Sequence, residues 1–165
     1  MPVMAEHMRA LVETTGWSSL KNPDSAGVWR VSLEGGLDAM FFSLGDRMGI
    51  MRGVVVELPD SESESVAVCD RAVRMQMAAL RERPSILTVE EPGQSSVPGE
   101  GDVTKARLVC FRSVPLGLDT ERFVNEVQEW LNDLSWWKGV LGQSDPRGTD
   151  MNALFNAGVF SGLRL

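Results

Sequence analysis

His7 is the chain's single histidine, and Cys69 and Cys110 are its two cysteines, so any hydrolytic or thiol chemistry has to be assembled around these three. A serine or cysteine nucleophile needs a base within hydrogen-bond reach, and a metal-activated water needs several converging His, Cys, Asp or Glu donors. His7 stands beside the apolar stripe of a helical segment, with no local motif around it, and reads as a surface or partly packed histidine. The chain has no tyrosine to serve instead. Both cysteines fall inside apolar stretches and read as two buried free thiols. Spacing alone leaves a disulfide open, which a reducing cytosol disfavours.

Three further clusters have the look of chemistry. Gly99-Glu100-Gly101-Asp102 is glycine-rich but lacks the lysine and serine of a phosphate loop, and its carboxylates would repel phosphate. It reads as a flexible loop. Asp60, Glu62 and Glu64 match no EF-hand spacing, and acidic residues at a helix start are accounted for by the helix dipole. Trp130, Trp136 and Trp137 would suit a ligand cage, but Trp130 and Trp137 fall on a core stripe. Trp136 falls off that stripe and is expected half exposed, facing a partner or the tail. The expectation is a protein with no catalytic residues, no cofactor and no metal.

Composition narrows the partners. A net charge of −7 disfavours both nucleic acid and anionic lipid. At 165 residues and 43% hydrophobic content, the chain suits one globular domain. No apolar run approaches the ~20 residues of a membrane-spanning helix. Residues 1–10 interrupt their apolar positions with Glu6, His7 and Arg9, unlike a signal peptide. These features point to a cytoplasmic protein without membrane insertion.

The elements that must position these residues follow from periodicity. Met4, Met8, Leu11 and Val12 lie on one face of a helix over residues 4–15, stopped by Gly16. Residues 28–34 alternate, with Trp29, Val31 and Leu33 on one face, and Gly35-Gly36 signals a two-residue hairpin. Residues 37–44 are apolar on both faces, as in a central strand, and a third strand spans 48–58. A second helix is expected from Ser61, with Glu64 at capping-box spacing, to about Arg83 before Pro84. It carries two apolar stripes. Val66, Cys69, Val73, Met77 and Leu80 suit the sheet, whereas Val68, Ala72, Met75 and Ala79 have no evident partner within one subunit. Strands at 86–90 and 105–114 flank a loop at 91–104. A third helix starts at Asp119 and carries Phe123, Val127, Trp130, Leu134, Trp137 and Leu141 inward, ending at Gly139 or Gly142. The order α-β-β-β-α-β-β-α makes an α+β domain over residues 1–142, with an antiparallel sheet packed by helices and a partly flexible tail over 143–165.

That element order, the length, the low pI and stretches such as 37–44, 48–59 and Leu116-Gly117-Leu118-Asp119 resemble the class I type III secretion chaperones. The resemblance covers residues 4–141, and the tail departs from it. It implies a cytoplasmic homodimer that holds the N-terminal segment of secreted effector proteins non-globular for delivery to the secretion ATPase. Placed on this chain, effector binding is expected at Met8, Leu11, Val12, Trp29, Val31, Leu33 and Met51, and the dimer interface at Val68, Ala72, Met75 and Ala79. Methionine-rich patches suit a surface that repacks around its partner; Met40 and Met77 read as core, and Met4, Met8 and Met51 as divided between core and groove. Two other readings remain: a small regulatory or scaffold protein of the same fold, binding a folded partner, and an enzyme of unrecognised type, which the residue inventory disfavours.

Overall fold

A computed structural model of the chain describes residues 3–101 and 103–142; the tail expected over 143–165 lies outside the described residues. In chain order the elements are α1 (Val3–Thr15), β1 (Trp29–Leu33), β2 (Leu37–Leu44), β3 (Met48–Glu57), α2 (Glu62–Ala79), β4 (Ile86–Glu90), β5 (Arg107–Pro115) and α3 (Thr120–Leu141). The five strands form one antiparallel sheet in the order β1-β2-β3-β5-β4, so β1 and β4 are its outer strands. The protein is α+β.

Leu33 pairs with Leu37, which leaves a three-residue turn, Glu34–Gly36, where Gly35-Gly36 predicted two. Gly35 and Gly36 both take positive φ, 77° and 71°, a region that residues with a Cβ rarely enter. This explains the glycine pair, although the count was short by one.

The helices α1 and α3 cover one face of the sheet. Every residue of the α3 stripe, from Phe123 to Leu141, is buried there against Ala39, Phe41, Met51, Val55 and Cys110. Asp119 caps α3 by accepting the Arg122 N–H at 2.8 Å. Gly53 lets α3 approach: a Cβ on it would run into the Leu134 methyls and lie 3.1 Å from the Asp38 carbonyl oxygen. Trp136 is buried, not half exposed. Its ring stacks edgewise on Trp137, and the Arg83 guanidinium lies 4.6 Å above it.

The opposite face explains why β2 is apolar on both sides. Met40, Phe42 and Ile50 pack there with Val28 and with Val97 from the loop at 91–104. That loop was expected to be flexible, yet it is fastened by charge. Arg52 and Arg107 both bind Glu90, Arg107 also binds Glu100 at 2.7 Å, and the Ser96 hydroxyl donates to Glu90. Glu100, read as part of a loose glycine cluster, is one of the fastenings.

Helix α2 is turned about its axis relative to the expectation. Ala72, Met75 and Ala79 are buried in the main core, and Val68 packs against it, so the stripe assigned to a dimer interface is satisfied within one chain. The other stripe, apart from Cys69, which packs half buried against the core, faces outward: Val66 is 61%, Val73 56%, Met77 76% and Leu80 56% exposed. Ala72 and Ala79 are small side chains on the packed side, α2 contacts β4, and Arg71 donates to the Val140 carbonyl of α3 at 3.0 Å. The helix also ends at Ala79 instead of running to Arg83, and the Ser61 hydroxyl bonds to that of Ser63 instead of capping.

Candidate functional site

The groups able to do chemistry are held in structural roles. His7 is buried, lies 3.0 Å from the Leu116 carbonyl oxygen through Nε2, and stacks on Phe123 at 4.4 Å. Its Nδ1 is buried with no hydrogen-bond partner among the described residues, so no hydroxyl or thiol stands ready to give it a proton. Cys110 is fully buried, and burial, with Asp133 nearby, pushes its thiol up to about 12. Cys69 is only half buried, but burial and the Glu91 charge raise it as well. Both are free thiols held in the protonated, poorly nucleophilic form. Asp133, buried in α3, accepts from Ser85 Oγ at 2.5 Å and pairs with Arg83 and Arg112 at 3.2 Å each. It anchors the α2–β4 connection to α3. No group of three or more His, Cys, Asp or Glu side chains able to hold a metal occurs among the described residues, and no described helix is long and apolar enough to cross a membrane.

Two surfaces among the described residues bear on the expected binding. The first is a cleft of about 440 Å³ between α1, the segment after it and the outer strand β1. Ala5, Arg9, Val12 and Glu13 form one wall, residues 21–23 the other, and Trp29 the floor. Sequence periodicity builds this geometry: inward residues of α1 pack in the core, which leaves Val12, about 100° round the helix from Leu11, at the margin. Asp24 shapes the opposite wall. Its carboxylate accepts from the Ala26 and Val28 N–H groups and pairs with Arg30 at 3.0 Å. Those bonds hold its pKa below the usual carboxylate range, the Val28 bond contributing most.

Of the residues expected to bind an effector, only Val12 and Trp29 line this cleft. Met8, Leu11, Trp29, Val31 and Met51 are core side chains, Trp29 at 7% exposure doing no more than floor the cleft, and Leu33 is half buried against the same core. The correction has a simple cause. The apolar stripe that makes α1 amphipathic is the stripe it needs to hold the sheet, so it cannot also be offered to a partner. Among the methionines, Met4, Met8 and Met51 fall on the core side, Met40 packs half buried against the second cluster as expected of core, and Met77, read as core, is instead the most exposed large apolar side chain among the described residues.

The second surface is the outward stripe of α2, from Val66 to Leu80, on the helix that contacts β4. Charges flank it in order along the helix: Glu62 and Glu64 at the start, the Asp70–Arg74 pair at 3.0 Å in the middle, and Arg81 just past the end. Reading the sequence found both stripes of α2 but assigned them the wrong way round; the small residues Ala72 and Ala79 were the signal that distinguished the packed side. The cleft walls at Arg9, Glu13 and residues 21–23 were missed because their residue types are those of any solvated surface. No protein-family model matches the chain, and no curated protein matches it either.

Proposed function

We propose that this protein is a non-enzymatic chaperone of the class I type III secretion kind, a cytoplasmic homodimer that holds an unfolded segment of a secreted effector. The observation that carries the reading is the cleft at α1 and Trp29, beside the outer strand β1. An extended segment adds its backbone to an open strand edge and seats alternate apolar side chains beside it. Trp29 and Val12 offer the apolar contact, and Arg9, Glu13 and Lys21 at the rim offer polar contacts to a flanking residue. On this reading the structural roles of His7, Cys110 and Asp133 leave no chemistry to perform, and the secretion ATPase is a partner that receives the complex.

The homodimer is proposed to form through the outward stripe of α2. A two-fold axis makes such helices antiparallel, which places Glu62 and Glu64 at the start of one near Arg81, just past the end of the other. With Val73 near the axis, Asp70 of each helix faces Arg74 of its mate, and the four large apolar side chains meet at the centre. A stable contact needs ~800 Å² per subunit, and the four exposed apolar side chains of the stripe, Val66, Val73, Met77 and Leu80, would form its centre.

The test is hydrogen exchange on the full chain with and without the N-terminal segment of an effector. Protection is expected at Trp29–Leu33 and α1, and Val12→Glu is expected to weaken binding at least tenfold without unfolding the protein. Protection confined to α2 and β4, or binding only to folded proteins, would replace this reading with that of a scaffold for a folded partner.

A further inference from the structure

Met40 of β2 stands between two arginines, on the face of the sheet where Val28, Phe42, Ile50 and Val97 pack. Strand register sets Arg30 of β1 opposite it on one side and Arg52 of β3 opposite it on the other. Residues opposed in this way share a face of the sheet. Both guanidinium groups donate to the Met40 sulfur, Arg30 through Nη1 at 3.2 Å and Arg52 through Nη1 at 3.5 Å.

The two donors are fixed from behind. Asp24 holds Arg30 through Nε at 3.0 Å, and Glu90 holds Arg52 through Nε and Nη2, which leaves each Nη1 for Met40. No other methionine sulfur among the described residues accepts a hydrogen bond: Met4, Met8, Met51 and Met75 lie in the main core, and Met77 stands in solvent. A thioether is only a weak acceptor, so these two charged donors are poorly used by the sulfur as it stands.

Oxidation to the sulfoxide ordinarily disrupts a core, because it turns an apolar side chain into a polar one. At Met40 the added oxygen has donors in place. An oxygen on the sulfur that accepts from an N–H at ~2.9 Å keeps that nitrogen roughly 3.6 Å from the sulfur, close to the separations already present. Met40 is half buried, which leaves it open to a small oxidant.

We infer that Met40 is a site of reversible oxidation by a hydroperoxide, with the sulfoxide oxygen held by Arg30 and Arg52. The sulfur attacks one peroxide oxygen, so that an S–O bond forms as the O–O bond breaks. Sulfur gives up two electrons. With hydrogen peroxide, the departing hydroxide takes the proton from the transferred oxygen and leaves as water. The product ties β1, β2 and β3 together more firmly, since charge-assisted bonds to oxygen replace bonds to sulfur. A methionine sulfoxide reductase reverses the step, with thiols oxidised to a disulfide as the oxygen leaves in water. The inference is independent of the chaperone reading, since it rests on the sheet alone.

Peroxide treatment of the full chain tests it, in a Cys69→Ser, Met48→Leu, Met77→Leu background and in the same chain with Met40→Leu. The difference between the two reports Met40. Peptide mass spectrometry is expected to find Met40 sulfoxide in protein that is still folded, while Met4, Met8 and Met51 stay reduced. The urea midpoint is expected to hold level or rise on oxidation, and to fall on oxidation once Arg30→Leu is added. A methionine sulfoxide reductase should restore the starting value. The arginine side-chain NMR signals of Arg30 and Arg52 are expected to shift on oxidation, and they decide alone if Arg30→Leu does not fold. Folded protein that leaves Met40 unoxidised overturns the inference. So does a midpoint that falls in the parent chain, an oxidation response that Arg30→Leu leaves unchanged, or arginine signals indifferent to the oxidation.

Discussion

Arg52 of β3 reaches past the intervening strand β5 to grip Glu90 of β4, with its Nε 3.0 Å from Oε1 and a second nitrogen on Oε2, both side chains buried. Arg107 closes on the same carboxylate at 2.8 Å, and the Ser96 backbone and hydroxyl join it. The pair therefore staples three strands and the loop at 91–104 together on the face that no helix covers. A buried pair of this kind is costly to break from one side, because the surviving charge has no partner.

Glu90→Gln is expected to lower unfolding stability by about 3 kcal/mol, since Arg52 keeps only Glu100, at 3.8 Å, as a charged neighbour. The same pair sets an acid dependence. Burial alone would raise the Glu90 pKa, but hydrogen bonds from Arg52, Ser96 and Arg107 outweigh it and hold the carboxyl at about 2, against an ordinary 4.5. The unfolded chain thus takes up the proton first. The stabilisation is complete above about pH 4.5 and lost as the pH falls towards 2. Urea midpoints measured across that window should fall more steeply for the wild type than for Glu90→Gln. Parallel slopes would show that Glu90 is not the group responsible.

Met75 and Met77 are two residues apart on α2 and face opposite ways. Met75→Asp buries a charge in the core and is expected to cost at least about 3 kcal/mol, unfolding much of the protein. Met77→Asp is expected to change fold stability by less than about 0.5 kcal/mol and yet to convert the proposed dimer to monomer by light scattering. Val73→Cys should cross-link two chains at the axis under mild oxidation, while native Cys69, displaced along the helix, should not. A wild-type monomer at micromolar concentration would refute the dimer.

Gly53→Ala is expected to destabilise the fold by about 1–3 kcal/mol, the range for overpacking a filled core. The new methyl group would collide with Leu134, which is fully buried, and crowd the Asp38 carbonyl. Shortening Leu134 in the same chain should restore part of the loss. If Gly53→Ala alone proves neutral in urea unfolding, α3 does not pack against β3 as closely as described.

Much of the fold was legible because short-range rules decide it. The α3 stripe from Phe123 to Leu141 repeats at helical spacing, Asp119 caps it, and strands Leu37–Leu44 and Ile86–Glu90 are bounded by turn residues on either side. These features depend on neighbours a few residues apart, so the amino-acid order determines them on its own. Which stripe of α2 faces the core does not depend on such neighbours. Both stripes are apolar at the same period, and the main core takes in Ala72, Met75 and Ala79, on the helix that contacts β4. The division of apolar residues between core and surface was likewise decided in three dimensions. Met8, Leu11 and Met51 are core because the sheet lies against them, and Met77 is surface because no described element does. Only the assembled fold brings Arg52, Glu90 and Glu100 together, since charge pairs across 38 and 48 positions leave no periodic trace in the sequence.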